Sequence, residues 1–294
     1  MSIMHFKEWV LKEDQKSLAK AYTDLLSNVP QDPIHHPEGD ALTHIRLVRK
    51  SIQEAVKRLS ALKRSPVFSE ILQNIDFNVS NEELQILYIA AWLHDIGKAT
   101  ATTIGGVNYS FLRQMDLSYQ NDPSKIRAIG HDDIKHYGPL IGSLGPIAPE
   151  STKSLYLNNK EIINFIIDHH MSFRKGEGFS RSFIRAYFDN GKVINDQKVK
   201  LLLILMWADK MGRTPEAVQN AIKDNESGLL DSAKKSIDQK SKEERTSARR
   251  TSAADPVSMA KALVAKGLSP IQVRSAIKGK FPNIDDESLS AMLN

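Results

Sequence analysis

The chain has 294 residues, is 41% hydrophobic and 26% charged, carries a formal net charge of +5 and has no cysteine. This is the composition of a globular protein large enough to bury a core. It rules out disulfides, thiolate zinc sites and cysteine nucleophiles, and no apolar run is long enough to span a bilayer.

Residues 1–30 read as one or two short helices anchored by Trp9, Val10, Leu11, Leu18, Tyr22 and Leu25. Acids come early and no long apolar run follows, unlike a secretion signal, so a cytoplasmic protein is expected. Three prolines and a glycine in "NVPQDPIHHPEGD" end this extension. From Leu42 to Leu62, Ile45, Val48, Ile52, Ala55, Val56, Leu59 and Leu62 recur at helical steps. "SPVFSEILQNIDF" suggests a short helix. "SNEELQILYIAAWLHD" is a strong one, with Ser80 as its cap and acids in its first turn. Residues 101–130 are polar and poorly periodic, which predicts a loop with one short hairpin around Gly105-Gly106.

Helices resume near 131–143, 159–170, 180–189 and 197–211, the last with the apolar density of a central helix. Residues 223–256 turn charged and Ser/Lys-rich, either an exposed helix or a linker. Three short helices then follow start signals at Asp255-Pro256, Ser269-Pro270 and Asp285 or Asp286. The expectation is an all-α fold: an extension (1–30), a helical bundle (31–222), the charged segment (223–256) and a small helical module (257–294).

Within this frame, ionisable side chains fall on apolar ground. His44 lies near the start of one helix, His94 and Asp95 close another, His169 and His170 close a third, and Asp209 ends a fourth. Each alone has a plain explanation, such as a hydrogen-bonded core histidine or an Asp209–Arg213 surface pair. Together they match the way helical bundles build metal centres from facing helices. Nitrogen and oxygen donors without sulfur suit Mn, Fe, Co, Ni, Mg or catalytic Zn. Asp95 has two oxygens and could bridge two cations, and Lys98, about a turn on, could neutralise an anion held there. Histidine, aspartate and lysine in that order suit metal-assisted hydrolysis of a phosphate ester.

The series "HPEGDALTH" (36–44), "WLHDIGKAT" (92–100), "GHDD" (130–133), "DHH" (168–170) and "ADKMGR" (208–213) resembles the HD-domain metal-dependent phosphohydrolases. It is most like the HD domain at the C-terminal end of bacterial tRNA nucleotidyltransferases, and related domains occur fused to RNA-end-healing kinases. The resemblance spans about residues 31–220, with no nucleotidyltransferase motif in the roughly 30 residues ahead of it. It implies that His44, His94, Asp95 and Asp209 hold one metal. His131 with His169, His170 or both would complete a second, sharing Asp95. Lys98 and Arg213 would bind phosphate, with His170 as a further substrate contact and Asp95 and Lys98 as the catalytic pair. The implied substrates are nucleotide or RNA-end phosphoesters, 2′,3′-cyclic phosphates and 2′-phosphates among them.

Two rival expectations stand beside this. One is a nucleotidase or dNTP triphosphohydrolase. The other is a non-catalytic nucleotide-sensing or nucleic-acid-binding scaffold. For the latter, Arg274, Lys278 and Lys280 of the C-terminal module would lie along phosphates, although a protein-contact or packing role for that module is also open.

Overall fold

The computed structural model describes residues 13–32, 36–114, 125–172, 178–213, 215–254 and 256–293. The expected anchors Trp9, Val10 and Leu11, as well as His35 and Asp255, lie outside the described residues. The fold is all-α with a few two-residue strands. It forms two compact units, Met1–Ser236 and Ile237–Asn294. Among the described residues no helix is long and apolar enough to cross a membrane.

In the first unit, α1 (Glu13–Leu26) leads by a short loop to α2 (Ala41–Lys63). Asp40 caps α2, accepting from Thr43 N at 2.9 Å. Ser80 and Glu83 form a reciprocal capping box at the start of α3 (Asn81–Leu93), which satisfies two otherwise orphaned donors. A single turn, α4 (Lys98–Ala101), precedes β1 (Thr103–Ile104) and β2 (Val107–Asn108), which form the expected hairpin at Gly105-Gly106. After α5 (Tyr109–Gln114), β3 (Ile126–Arg127) joins the other edge of β1.

Then come α6 (Ile134–Leu144), a 3₁₀ turn (Gly145–Ile147), α7 (Glu150–Asn158), α8 (Lys160–His169) and α9 (Arg181–Tyr187). The centre is α10 (Gln197–Met211), in which every residue from Leu201 to Asp209 is buried. A helix apolar all round must be enclosed, and α10 packs on α2, α3 and α8.

Two local expectations need correction. Residues 66–74 form successive turns rather than a helix, yet Phe68, Ile71, Leu72 and Ile75 still reach the core. The helix expected to 189 stops at Tyr187, and β4 (Phe188–Asp189) pairs with β5 (Lys192–Val193). Asn190 and Gly191 make that turn with φ of 47° and 82°, the doubly left-handed geometry for which Asn-Gly is the preferred pair. Of the two alternatives for the charged segment the helical one is found, in α11 (Pro215–Ala254). The early part of that helix belongs to the first unit, where Ile222, Asn225, Leu229 and Ser232 are buried. There, Asn225 Nδ2 donates to Met206 O at 3.2 Å and Ser232 Oγ accepts from Phe179 N at 2.8 Å.

The second unit holds α12 (Pro256–Ala265), α13 (Pro270–Lys280) and α14 (Asp286–Leu293) around Ala260, Val273, Ile277 and Leu289. Of the basic residues proposed to track phosphates, Arg274 donates to Ser290 Oγ at 2.9 Å and Lys278 pairs with Asp286 at 2.7 Å.

Candidate metal centre

The helix ends converge. His44 stands in the first turn of α2, His94 at the C-terminus of α3, His170 at the C-terminus of α8, and Asp209 in the last turn of α10. Asp95 follows α3 directly, Lys98 opens α4, and His131 precedes α6. His44, His94, Asp95, Lys98, His131, His170 and Asp209 are all buried. Three helix C-termini, each carrying partial negative charge, thus meet two carboxylates, a setting that favours a cation.

The reason these histidines point inward is periodic. Ala41, His44, Ile45 and Val48 are buried along one face of α2. Leu87, Ala90, Ala91 and His94 do the same on α3, and Ile163, Ile166, Ile167 and His170 on α8. In each case the imidazole continues an apolar stripe at steps of three and four.

The tautomers follow from backbone contacts. Nδ1 of His94 lies 2.9 Å from Ala91 O, that of His131 lies 2.7 Å from Ala128 O, and that of His170 lies 2.7 Å from Ile167 O. A carbonyl only accepts, so each Nδ1 carries a proton and donates it. In the neutral ring Nε2 is then a bare lone pair. All three Nε2 atoms are buried without a hydrogen-bond partner. They face carboxylate oxygens: His94 Nε2 is 3.5 Å from Asp95 Oδ2 and 3.8 Å from Asp209 Oδ1. His131 Nε2 is 2.9 Å and His170 Nε2 3.8 Å from Asp95 Oδ1. Lone pairs facing carboxylates repel unless a proton or a metal ion stands between them.

Among the described residues three donor sets have their atoms within 4.8 Å of one another: two fully buried, His44, His94 and Asp209 in one and Asp95, His131 and His170 in the other, and a less buried third of His36, Glu38 and His44. Burial pushes the carboxyl pKa values of Asp95 and Asp209 up. For Asp95 the charge of Lys98 leads the effects that more than offset this; for Asp209 the charge of Lys210 does, with a hydrogen bond from His44 behind it. Both are held well below the usual carboxylate range. The residues present therefore fit a metal ion with nitrogen and oxygen ligands.

His44 is held from both sides. Its Nε2 lies 2.8 Å from Asp209 Oδ1 and its Nδ1 lies 2.6 Å from Glu38 Oε1. Glu38 also takes His36 Nδ1 at 2.9 Å, and the His36 ring meets His44 edge-on, centroids 4.7 Å apart. A carboxylate behind a ligand imidazole fixes its orientation and raises its basicity. Sequence reasoning missed Glu38, although "HPEGDALTH" contains it; nothing periodic marks a loop residue of this kind.

Other expected site residues fall elsewhere. His169 lies outside both donor sets: its ring packs edge-on against Phe165 and Phe183, and Nδ1 lies 3.2 Å from Ser172 Oγ. Arg213 is half-buried, and its Nε is buried with no hydrogen-bond partner. Among the described residues no hydrogen bond or ion pair joins Arg213 to the cluster. Lys98 is in the cluster, 2.7 Å from Asp95 Oδ2 and 2.5 Å from Gln31 Oε1.

Two glycines allow the approach. A Cβ on Gly97 would stand 2.0 Å from His131 O. A Cβ on Gly212 would stand 2.8 Å from Val48 N, so α10 can end against α2 only without one. Gly97→Ala is expected to displace His131 and to cost about 1–3 kcal/mol of stability. Thermal melting measures the cost, and Mn²⁺ titration is expected to show affinity lowered in the same variant. An unchanged melt and unchanged affinity would show that the contact is slack.

No family model matches the chain, and searches among curated proteins and among solved structures find none that matches it.

Proposed function

We propose that the chain is a metal-dependent phosphohydrolase of the HD-domain type, acting on nucleotide or RNA-end phosphoesters. The observation that carries the reading is the set of three imidazoles, each oriented by a backbone carbonyl at Nδ1 so that a buried Nε2 without a hydrogen-bond partner faces the carboxylates of Asp95 and Asp209. The ordered resemblance from His36 to Arg213 supports the same reading. His44, His94 and Asp209 would hold one ion, and Asp95, His131 and His170 a second. Ions held there would supply Lewis-acid activation of the phosphoryl group and of the attacking water.

The chain's own residues supply the rest. Glu38 locks the His44 ring, so that Nε2 faces inward whether or not substrate is bound. The carbonyls of Ala91, Ala128 and Ile167 do the same for the other three rings, which lowers the reorganisation needed at reaction. The Lys98 ammonium, buried beside Asp95, is placed to balance charge that develops on phosphoryl oxygens. The enclosing apolar helices strengthen each of these interactions by excluding water.

Mn and Ni are the first metals to try, the one suited to the carboxylate and the other to the imidazole donors, with Co, Fe, Mg and Zn behind them. The test is phosphate or nucleotide release from 2′,3′-cyclic nucleotides, 2′-nucleotides and dNTPs with each metal. Turnover of the cyclic or 2′-phosphates supports the RNA-end reading, and turnover confined to dNTPs moves the substrate to the rival class. No release from any substrate with any metal contradicts hydrolysis.

A further inference from the structure

Gln31 reaches the cluster from the loop between α1 and α2. It is 7% exposed. Its Oε1 lies 2.5 Å from Lys98 Nζ, and Lys98 in turn lies 2.7 Å from Asp95 Oδ2. An ammonium donates and cannot accept, so chemistry fixes the amide: oxygen on Lys98, nitrogen turned to its other side. That nitrogen, Nε2, is buried and makes no hydrogen bond.

A buried amide NH₂ without an acceptor is costly, and such groups in folded proteins call for an explanation. No packing role needs one here. A leucine or methionine would fill the same volume without the penalty, so what distinguishes glutamine is its pair of polar ends. One end holds Lys98. The other is separated from it only by the amide carbon, so an acceptor that satisfies Nε2 sits close beside the ammonium. A neutral donor next to a cation, two hydrogen-bond steps from Asp95 and its candidate donor set, suits an oxygen that carries negative charge.

We propose that Gln31 is a substrate-binding residue whose side-chain amide donates to a phosphoryl oxygen held beside Lys98. The inference rests on the metal-dependent phosphohydrolase reading above, and it gives the loop ahead of α2 a direct part in gripping the phosphate. Because Gln31 contributes a donor and no proton, its effect falls on binding of the phosphate in ground and transition state alike. Once substrate is saturating, KM carries the change and kcat moves little.

The experiment uses the full chain loaded with Mn²⁺, with inorganic phosphate as the probe, followed by calorimetry. Mn²⁺ retention is measured on the same samples. Gln31→Met keeps the volume and removes both polar ends; Gln31→Glu keeps an acceptor for Lys98 and removes the donor. Both variants are expected to retain Mn²⁺ and to bind phosphate about tenfold or more weakly than wild type, the effect of losing one hydrogen bond to a charged acceptor. Phosphate affinity equal in all three chains overturns the role of Gln31 while leaving the cation reading intact. Loss in Gln31→Met with full affinity in Gln31→Glu also overturns it, since the residue would then act only by holding Lys98. Absence of Mn²⁺ binding by wild type overturns both readings at once.

Discussion

Asp95→Asn is expected to abolish cation retention at the second donor set and to reduce hydrolysis roughly a thousandfold or more, the scale seen when a group that stabilises charge at a reacting centre is removed. The substitution keeps the shape of the side chain and changes its charge. Asp95 is the residue on which the site converges: Lys98 and His131 stand within 2.9 Å of its oxygens, and His44, His94 and His170 within 3.8 Å. Metal-free Asp95→Asn is also expected to melt below metal-free wild type, because Lys98 loses its counter-ion in a buried place. Breaking such a pair from one side costs about 3–5 kcal/mol. Asp95→Asn with Lys98→Met removes both charges and should recover most of that stability without recovering cation binding. A purely structural Asp95 predicts the opposite pattern, with the single variant losing stability yet still retaining Mn²⁺ at the second donor set.

The second large effect is on thermal stability. A ligand that binds only the folded chain stabilises it by about 2.7 kcal/mol at a hundred times its Kd and about 4.1 kcal/mol at a thousand times. For a chain of this size each kcal/mol moves Tm by roughly 2–4 °C, so saturating Mn²⁺ is expected to raise Tm by about 5–15 °C.

The rise depends on pH, and its sign follows from His44. Burial alone would lower the His44 pKa, but hydrogen bonds to Asp209 and Glu38 outweigh it and hold the pKa above its ordinary value. In the metal-free chain this contributes stability that is fully present below about pH 6.5, the unfolded value. It is lost as pH rises through the higher folded value. A cation must displace that same proton. Raising the pH from 6 upward should therefore lower the metal-free Tm and enlarge the Mn²⁺-induced gain. The depressed pKa values of Asp95 and Asp209 act at the other end: their contribution is present above about pH 4 and is lost as pH falls through their lower folded values. Melting curves with and without Mn²⁺ between pH 5 and 9 check both trends, and a gain that stays flat across that range would contradict the His44 linkage.

How much of this could be read beforehand depends on the element. The spacing from Ile45 to Leu59 and the capping signal at Ser80 mark α2 and α3 because their buried faces repeat at helical steps. The same spacing could have separated His170 from His169. Ile163, Ile166, Ile167 and His170 share one face, whereas His169, one residue earlier, turns about 100° away. Asp209 offers no such signal, because α10 is buried on every side. The Asn190-Gly191 turn was legible as a hairpin signal but sits directly after helical residues, and the helical pattern masks it. Glu38 and Gln31 come from irregular chain, where no period assigns a side chain to the interior. Only the folded positions of Lys98 and His44 show what each of them faces.

The most direct measurement is an anomalous difference map, collected at the manganese edge from crystals of the full chain grown with Mn²⁺. The account predicts a peak among His44, His94 and Asp209, a second among Asp95, His131 and His170, or both. A map with no peak near any of these side chains, from wild-type crystals grown in excess Mn²⁺, would contradict it.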